Sequence, residues 1–138
     1  MIKSFLKVAA LSLLMLTTSV LLKAQNSPYS SYLFAFFSNN SPRGEQIRYA
    51  VSDDGFDYTS LNMGRPVVSS DTIAIKKSIR DPHIMRAEDG KTFYMVLTDM
   101  RSSQGWQSND GLILMKSTDL LHWEHTAIDF PTRFPNLE

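Results

Sequence analysis

The residues best suited to chemistry surround Asp81, in the segment at residues 78–85 (SIRDPHIM). Pro82 has a fixed φ and no backbone donor, and it favours an extended conformation for the residue before it. The segment therefore predicts that Asp81 starts an apolar strand, with its carboxylate held in place. Such a carboxylate can take a proton from water when a second carboxyl group acts as the acid. On this dipeptide alone, the alternative is an Asp-Pro pair that only marks a turn.

Four other residues are candidates for substrate contact, and each also has a purely structural alternative. His83 lies two positions after Asp81, which predicts one shared strand face; the alternative is a packed core histidine. Trp106 lies in a loop with few apolar neighbours, where its indole can stack on a substrate ring or cap the sheet. Asp99 follows an apolar strand and can bind a substrate hydroxyl or loop amides. Arg80 can pair with a carboxylate or point to solvent.

Short aromatic and β-branched segments must position these residues, because no long apolar stripe at helical spacing follows residue 30. Gly, Pro, Asn, Asp and Ser separate the segments, and this pattern predicts an all-β fold. The Asp-Gly pair at residues 89–90 predicts a hairpin turn. The expected strands are residues 32–37, 46–51, 56–61, 79–86, 92–98, 111–116 and 123–128.

An internal repeat relates two turns that lie 65 residues apart. An aromatic strand precedes each copy, and Ser and Asp side chains are typical of a stabilised turn. Repeated units of four short strands are typical of β-propeller blades. The matching pairs are Ser52 with Ser117, Asp54 with Asp119, and Tyr58 with Trp123.

Residues 1–24 have the composition of a secretory signal peptide. Lys3 and Lys7 precede an uncharged apolar run at residues 8–22, and the small residue Ala24 precedes the expected cleavage point. That run is shorter than the ~20 residues that cross a bilayer, although a retained anchor is the alternative. The expected mature chain, residues 25–138, is exported to the periplasm or the medium and has no membrane attachment.

Charge and composition exclude several classes of function. Three of the 14 basic residues lie in the leader, so residues 25–138 carry 11 basic and 14 acidic residues, a formal charge of −3. This balance argues against a nucleic-acid partner. The absence of cysteine excludes disulfides and thiolate metal sites. His122 and His125 have no acidic cluster at metal-ligand spacing, so no metal or other cofactor is expected there.

Three segments, in this order and spacing, resemble glycoside hydrolase family 43. They are residues 79–84 (IRDPHI), 88–98 (EDGKTFYMVLT) and 112–123 (LILMKSTDLLHW). In that family, Asp-Pro and an apolar residue precede Asp-Gly, an aromatic pair and a strand that ends in Thr. A Ser-x-Asp-Leu turn followed by His-Trp then ends the blade. The resemblance covers most of residues 32–138.

The resemblance implies a five-bladed β-propeller, of which this chain holds about the first two blades. Family members cleave plant glycans that contain arabinose, xylose or galactose, with inversion, by an Asp base, a pKa-tuning Asp and a Glu acid. Asp81 matches the base, whereas the other two carboxylates lie in later blades, so these 138 residues alone are expected to be inactive. The implied partner is a plant-type oligo- or polysaccharide. The complete propeller has room for a structural calcium, whose ligands the sequence does not identify.

Three alternatives stay open at this point. In a non-catalytic glycan-binding propeller, Asp81 would only contact sugar hydroxyls. A sialidase-like propeller is suggested by residues 52–55 (SDDG), which resemble a Ser-x-Asp-x-Gly box with the glycine one residue early. A related five-bladed clan that acts on fructans or mannosides has Asn at the position that Arg80 occupies. An Asp two blades later and a Glu in the following blade would distinguish the enzyme from the binding protein.

Overall fold

The computed structural model describes residues 29–136. The expected leader, residues 1–24, lies outside the described residues. The chain divides after Ser31 into two compact units, and the strands described below belong to the second, Tyr32–Glu138. Between residues 29 and 136, no helix has the length and apolar character needed to cross a membrane.

Two antiparallel sheets form the second unit. The first sheet has three strands in the order β1-β2-β3, and the second has four in the order β4-β5-β6-β7. A short helix, α1 (Phe130–Arg133), follows the last strand. The strands are β1 (Tyr32–Phe36), β2 (Arg48–Ser52), β3 (Thr59–Ser60), β4 (Ile79–Arg86), β5 (Phe93–Asp99), β6 (Gly111–Ser117) and β7 (Glu124–Asp129).

One apolar core joins the two sheets. Alternation along β5 and β6 places every second side chain on the same face of the second sheet, as the pleat requires. They share this core with Ile47, just before β2, and with Tyr49 in β2, both of which are buried. The buried members of the cluster are Ile47, Tyr49, Val68, Ala74, Ile79, Met95, Leu97, Ile113 and Met115.

The strand expected at residues 56–61 is much shorter in the structure and covers Thr59–Ser60 only. The reason is the preceding turn, because Asp54 Oδ1 accepts hydrogen bonds from the backbone amides of Phe56 and Asp57 at 2.8 and 3.0 Å. Amides held by a turn carboxylate are not available to a sheet ladder. The other expected strands form within one or two residues of their predicted limits, and Gly90 has the positive φ of 67° expected of its hairpin.

The repeated turns have the same hydrogen bonds. Ser52 Oγ donates to Asp54 Oδ1 at 2.8 Å, and Ser117 Oγ donates to Asp119 Oδ1 at 3.1 Å. Each serine oxygen accepts from the amide three residues later, at 2.8 and 2.9 Å. In the second copy, the aspartate oxygen accepts from the amides two and three residues later, at 2.9 and 2.8 Å. The internal repeat is therefore confirmed as a repeated local structure.

The two copies also share a left-handed residue, which is Gly55 (φ 83°) in the first and Leu120 (φ 66°) in the second. They differ in their aromatic residue, because Trp123 packs against the core while Tyr58 is 41% exposed and contacts Phe34. Two antiparallel sheets with almost no helix make the described residues all-β, and this arrangement is consistent with part of a β-propeller.

Candidate active site

The strand that carries Asp81 is interrupted by a β-bulge. In the ladder between β4 and β5, Arg80 pairs with Thr98 and His83 with Val96, so Asp81 and the proline after it face a single residue. Asp81 has a φ of 49°, in the left-handed region. The expectation of an extended Asp81 is therefore wrong. The bulge requires an unusual backbone conformation, and aspartate tolerates the left-handed region better than most residues do.

The conformation of Asp81 is strained, and its carboxylate is open. A residue before proline is sterically directed to the extended region, so a left-handed conformation there costs about 1–3 kcal/mol. The side chain is exposed, and within residues 29–136 no hydrogen-bond donor holds its carboxylate. Strained residues of this kind cluster at sites of function. An open carboxylate on a fixed backbone can accept a proton from a bound water.

His83 is also exposed, and it lines a pocket beside the bulge. The pocket has a volume of about 450 Å³ and lies over β4, β5 and β6, with an apolar wall that includes Met85, Tyr94 and Leu114. The bulge interrupts the two-residue alternation between Asp81 and His83, so their spacing no longer implies one strand face. A packed core histidine is excluded, and a substrate contact by His83 stays a prediction.

The Arg80 side chain is engaged by other groups of the chain. Its side chain is only 11% exposed, its Nη1 lies 3.3 Å from Glu45 Oε1, and its guanidinium lies 4.6 Å from the centre of the Phe37 ring. Nη1 also contacts Ser102 Oγ. We therefore withdraw Arg80 from the substrate contacts, because its charged group is already engaged by these partners. The alternative of a carboxylate partner is the one that the structure shows.

Sequence reasoning missed Glu45, the buried partner of Arg80. Glu45 lies in the polar loop between β1 and β2 and is 1% exposed. Its carboxylate accepts hydrogen bonds from Ser78 Oγ at 2.8 Å and from the backbone amide of Ser102 at 2.9 Å. Burial raises the pKa of Glu45, but the hydrogen bonds from Ser102 and Ser78 and the Arg80 charge lower it more, so the net pKa falls below its ordinary value. A charged residue in a polar loop carries no sequence signal of such burial.

Asp99 is buried as well and is 1% exposed. Its two carboxylate oxygens accept from the backbone amides of Ile75 and Lys76 at 2.7 and 2.9 Å. Burial raises the pKa of the Asp99 carboxyl, although both amides and the Lys76 charge lower it in part. We no longer assign Asp99 to substrate, because its carboxylate holds the linker before β4.

Trp106 is 79% exposed, on a single 3₁₀ turn in the loop between β5 and β6. The same loop contacts the start of β4, since Ser102 bonds both Glu45 and Arg80. The open indole is free to stack on a sugar ring, and this role stays a prediction. Between residues 29 and 136, no three His, Asp or Glu side chains group together as metal ligands would.

Comparison with known proteins identifies the family of this chain. A family described as a probable glycosyl hydrolase domain, related to glycoside hydrolase family 43, matches residues 27–132. An alpha-L-arabinofuranosidase of Bifidobacterium longum subsp. longum is 29% identical over 115 residues, which are 78% of this chain and 11% of that enzyme. No solved structure matches the chain. Since the family match spans both sheets and the bulge, the chain belongs to the probable glycosyl hydrolase family related to glycoside hydrolase family 43.

Proposed function

We propose that this chain forms the first part of an exported, inverting glycoside hydrolase and that Asp81 is its general base. The observation that carries the proposal is the exposed Asp81 carboxylate at a strained bulge, within a sheet that matches a glycosyl hydrolase family. The proposed substrates are plant polysaccharides with arabinose, xylose or galactose units. The resemblance to family 43 and the arabinofuranosidase relative support this choice.

In the proposed reaction, Asp81 takes a proton from a water molecule as the water oxygen attacks the anomeric carbon. The glycosidic bond breaks on the opposite face of the sugar, and a carboxylic acid gives its proton to the departing oxygen. Acid and base must stand roughly 6.5–9.5 Å apart to leave room for the water. By the resemblance, the acid and the pKa-tuning carboxylate belong to later blades of a five-bladed propeller, in residues after Glu138.

The relative's length supports a contribution from outside this chain, because the chain spans about a tenth of the arabinofuranosidase that it matches. His83 and Trp106 are the proposed sugar contacts, since both are exposed. His83 lies on β4, as Asp81 does, and Trp106 lies on the loop that contacts the start of β4. We also propose that residues 1–24 direct export and are then removed, which leaves the protein in the periplasm or the medium. The proposed reaction uses no cofactor, and a structural calcium in the complete propeller would be compatible with it.

The experiment compares two proteins. One is the 138-residue chain, and the other, called the longest in-frame product, is the longest protein that the same gene encodes in the same reading frame. Each is incubated with aryl glycosides of arabinose, xylose and galactose and with arabinoxylan, and NMR identifies the anomer that is released first. We expect hydrolysis with inversion by the longer product and none by the 138-residue chain. Release of the retained anomer, or turnover by the short chain alone, would contradict the proposal. Glycan binding by the longer product without hydrolysis would favour the non-catalytic propeller.

A further inference from the structure

Glu45 holds three consecutive residues that lead directly to Asp81. Its carboxylate accepts from Ser78 Oγ at 2.8 Å, and its backbone carbonyl accepts from the Ile79 amide at 3.0 Å. The same carboxylate pairs with Arg80 at 3.3 Å. Glu45 comes from the first sheet's loop, whereas the residues it holds begin the second sheet. One buried side chain therefore fixes the backbone on the N-terminal side of the bulge.

Arg80 is restrained on its other sides as well. The guanidinium covers the Phe37 ring, and Nη1 contacts Ser102 Oγ. The backbone amide of Ser102 in turn donates a hydrogen bond to Glu45. Glu45 therefore also holds the loop between β5 and β6, which carries Trp106. A buried charge pair that keeps several such hydrogen bonds has one favourable arrangement. Rotation of the Arg80 backbone would break the two Nη1 contacts and the contact with the Phe37 ring.

The backbone conformation of Asp81 depends on the Glu45 contacts, because among the described residues its own side chain makes no hydrogen bond that would hold it. No donor between residues 29 and 136 bonds its carboxylate, and its φ of 49° is unfavourable before Pro82. Without restraint, the residue would relax to the extended region. On the C-terminal side, the pairing of His83 with Val96 fixes the ladder. The strained residue is therefore held between the Glu45 contacts and that pair.

We propose that Glu45 is a positioning residue, which acts through Arg80 to keep Asp81 in the left-handed conformation that aims its carboxylate. The catalytic meaning of this inference rests on the proposed function, whereas the conformational claim does not. Asp99 is a matched control. It is an equally buried carboxylate that holds two consecutive backbone amides, but its partners lie in the linker and not at the bulge.

The conformational test uses NMR on the isotopically labelled 138-residue chain. A positive φ brings the amide and α protons of one residue close together, so Asp81 gives a strong cross-peak between them. We expect Glu45→Gln to weaken this cross-peak several-fold at Asp81 and to leave it strong at Leu120, which also has a positive φ. Asp99→Asn should keep both. If Glu45→Gln does not fold, Arg80→Lys, which keeps the charge but not the planar group, should give the same weakening. An unchanged Asp81 cross-peak in a folded variant would overturn the proposal.

The catalytic test uses the longest in-frame product. A displacement of about 1 Å can cost about 100-fold in rate, so Glu45→Gln should lower kcat by that order with little change in KM. A residue that only stabilises the fold would lower the yield and leave kcat of the folded fraction unchanged, and that outcome would overturn the positioning role. If the longest product has no hydrolytic activity, the proposed function fails, while the NMR result still decides the conformational claim.

Discussion

Each sheet contains two consecutive antiparallel strands followed by a Ser–Asp turn. Among the described residues, only the second sheet has a further strand before these two. In residues 29–136, β1 and β2 correspond to β5 and β6, and β4 has no counterpart in the first sheet. The two turns share the hydrogen bonds of a serine and an aspartate in the same places. The strand without a counterpart carries the bulge and Asp81. The repeated parts thus form the scaffold, and the candidate base lies on the strand that is not repeated.

The largest effect on stability is expected from removing the Glu45 side chain, which connects the loop of the first sheet to the start of the second. Glu45→Ala should lower the free energy of unfolding by about 3–5 kcal/mol, because it leaves the Arg80 charge buried without its partner. Lys76→Ala is the control, since it removes an ion pair with Asp110 that is partly open to solvent and worth less than about 1 kcal/mol. Urea unfolding followed by tryptophan fluorescence measures both. Equal losses would contradict a large contribution of the Glu45 contacts to the stability of the fold.

Removing the serine hydroxyl from either turn should lower the free energy of unfolding by less, and by the same amount at both turns. Ser52→Ala and Ser117→Ala should each cost about 1–2 kcal/mol, because both hydroxyls are buried and each satisfies a turn amide. The two losses should agree within about 0.5 kcal/mol and should add in the double variant, since the sites do not touch. Ser69→Ala, at an exposed position, is the control. A loss at one turn only would contradict a repeated scaffold.

The smallest expected effect is a difference in pH dependence between the two buried carboxylates. The pKa of Glu45 is lower than its ordinary 4.5, so its ionised form stabilises the fold above that pH, and this contribution fades as pH falls through the lower value. The pKa of Asp99 is higher than its ordinary 3.8, so Asp99 disfavours the fold increasingly as pH rises above that value.

Unfolding between pH 3 and pH 7 checks these signs against two variants. Relative to Glu45→Gln, the natural chain should gain stability as pH rises through this window. Relative to Asp99→Asn, it should lose stability as pH rises. Slopes of the same sign for both pairs would contradict the opposite environments that the structure gives these two carboxylates.

The sequence predicted most of the scaffold because strands and turns have local signals. Apolar segments bounded by Gly, Asp and Ser located β4, β5 and β6 closely, and the Ser–Asp pattern predicted the paired turns. The strand after the first turn was overestimated, because the aspartate side chain takes the amides of Phe56 and Asp57. That competition depends on turn geometry, which residue types alone do not determine.

The candidate site was predicted less well, because its geometry depends on contacts between distant parts of the chain. The proline rule favoured an extended Asp81, and only the register against β5 requires the bulge. The sequence left Arg80 either paired with a carboxylate or open to solvent, and it did not identify Glu45, 35 residues earlier, as the partner. For Asp99 the sequence left both substrate and loop amides open, because the amides that it binds lie in a linker without a sequence pattern.

The most direct test of the central claim is the effect of Asp81→Asn on kcat/KM of the longest in-frame product with an aryl arabinofuranoside. Asp71→Asn, at another exposed aspartate, is the matched control. Loss of a general base should lower kcat/KM roughly 10²- to 10⁴-fold, while the control changes it little. A folded Asp81→Asn protein that keeps the activity of the control would show that β4 does not carry the base.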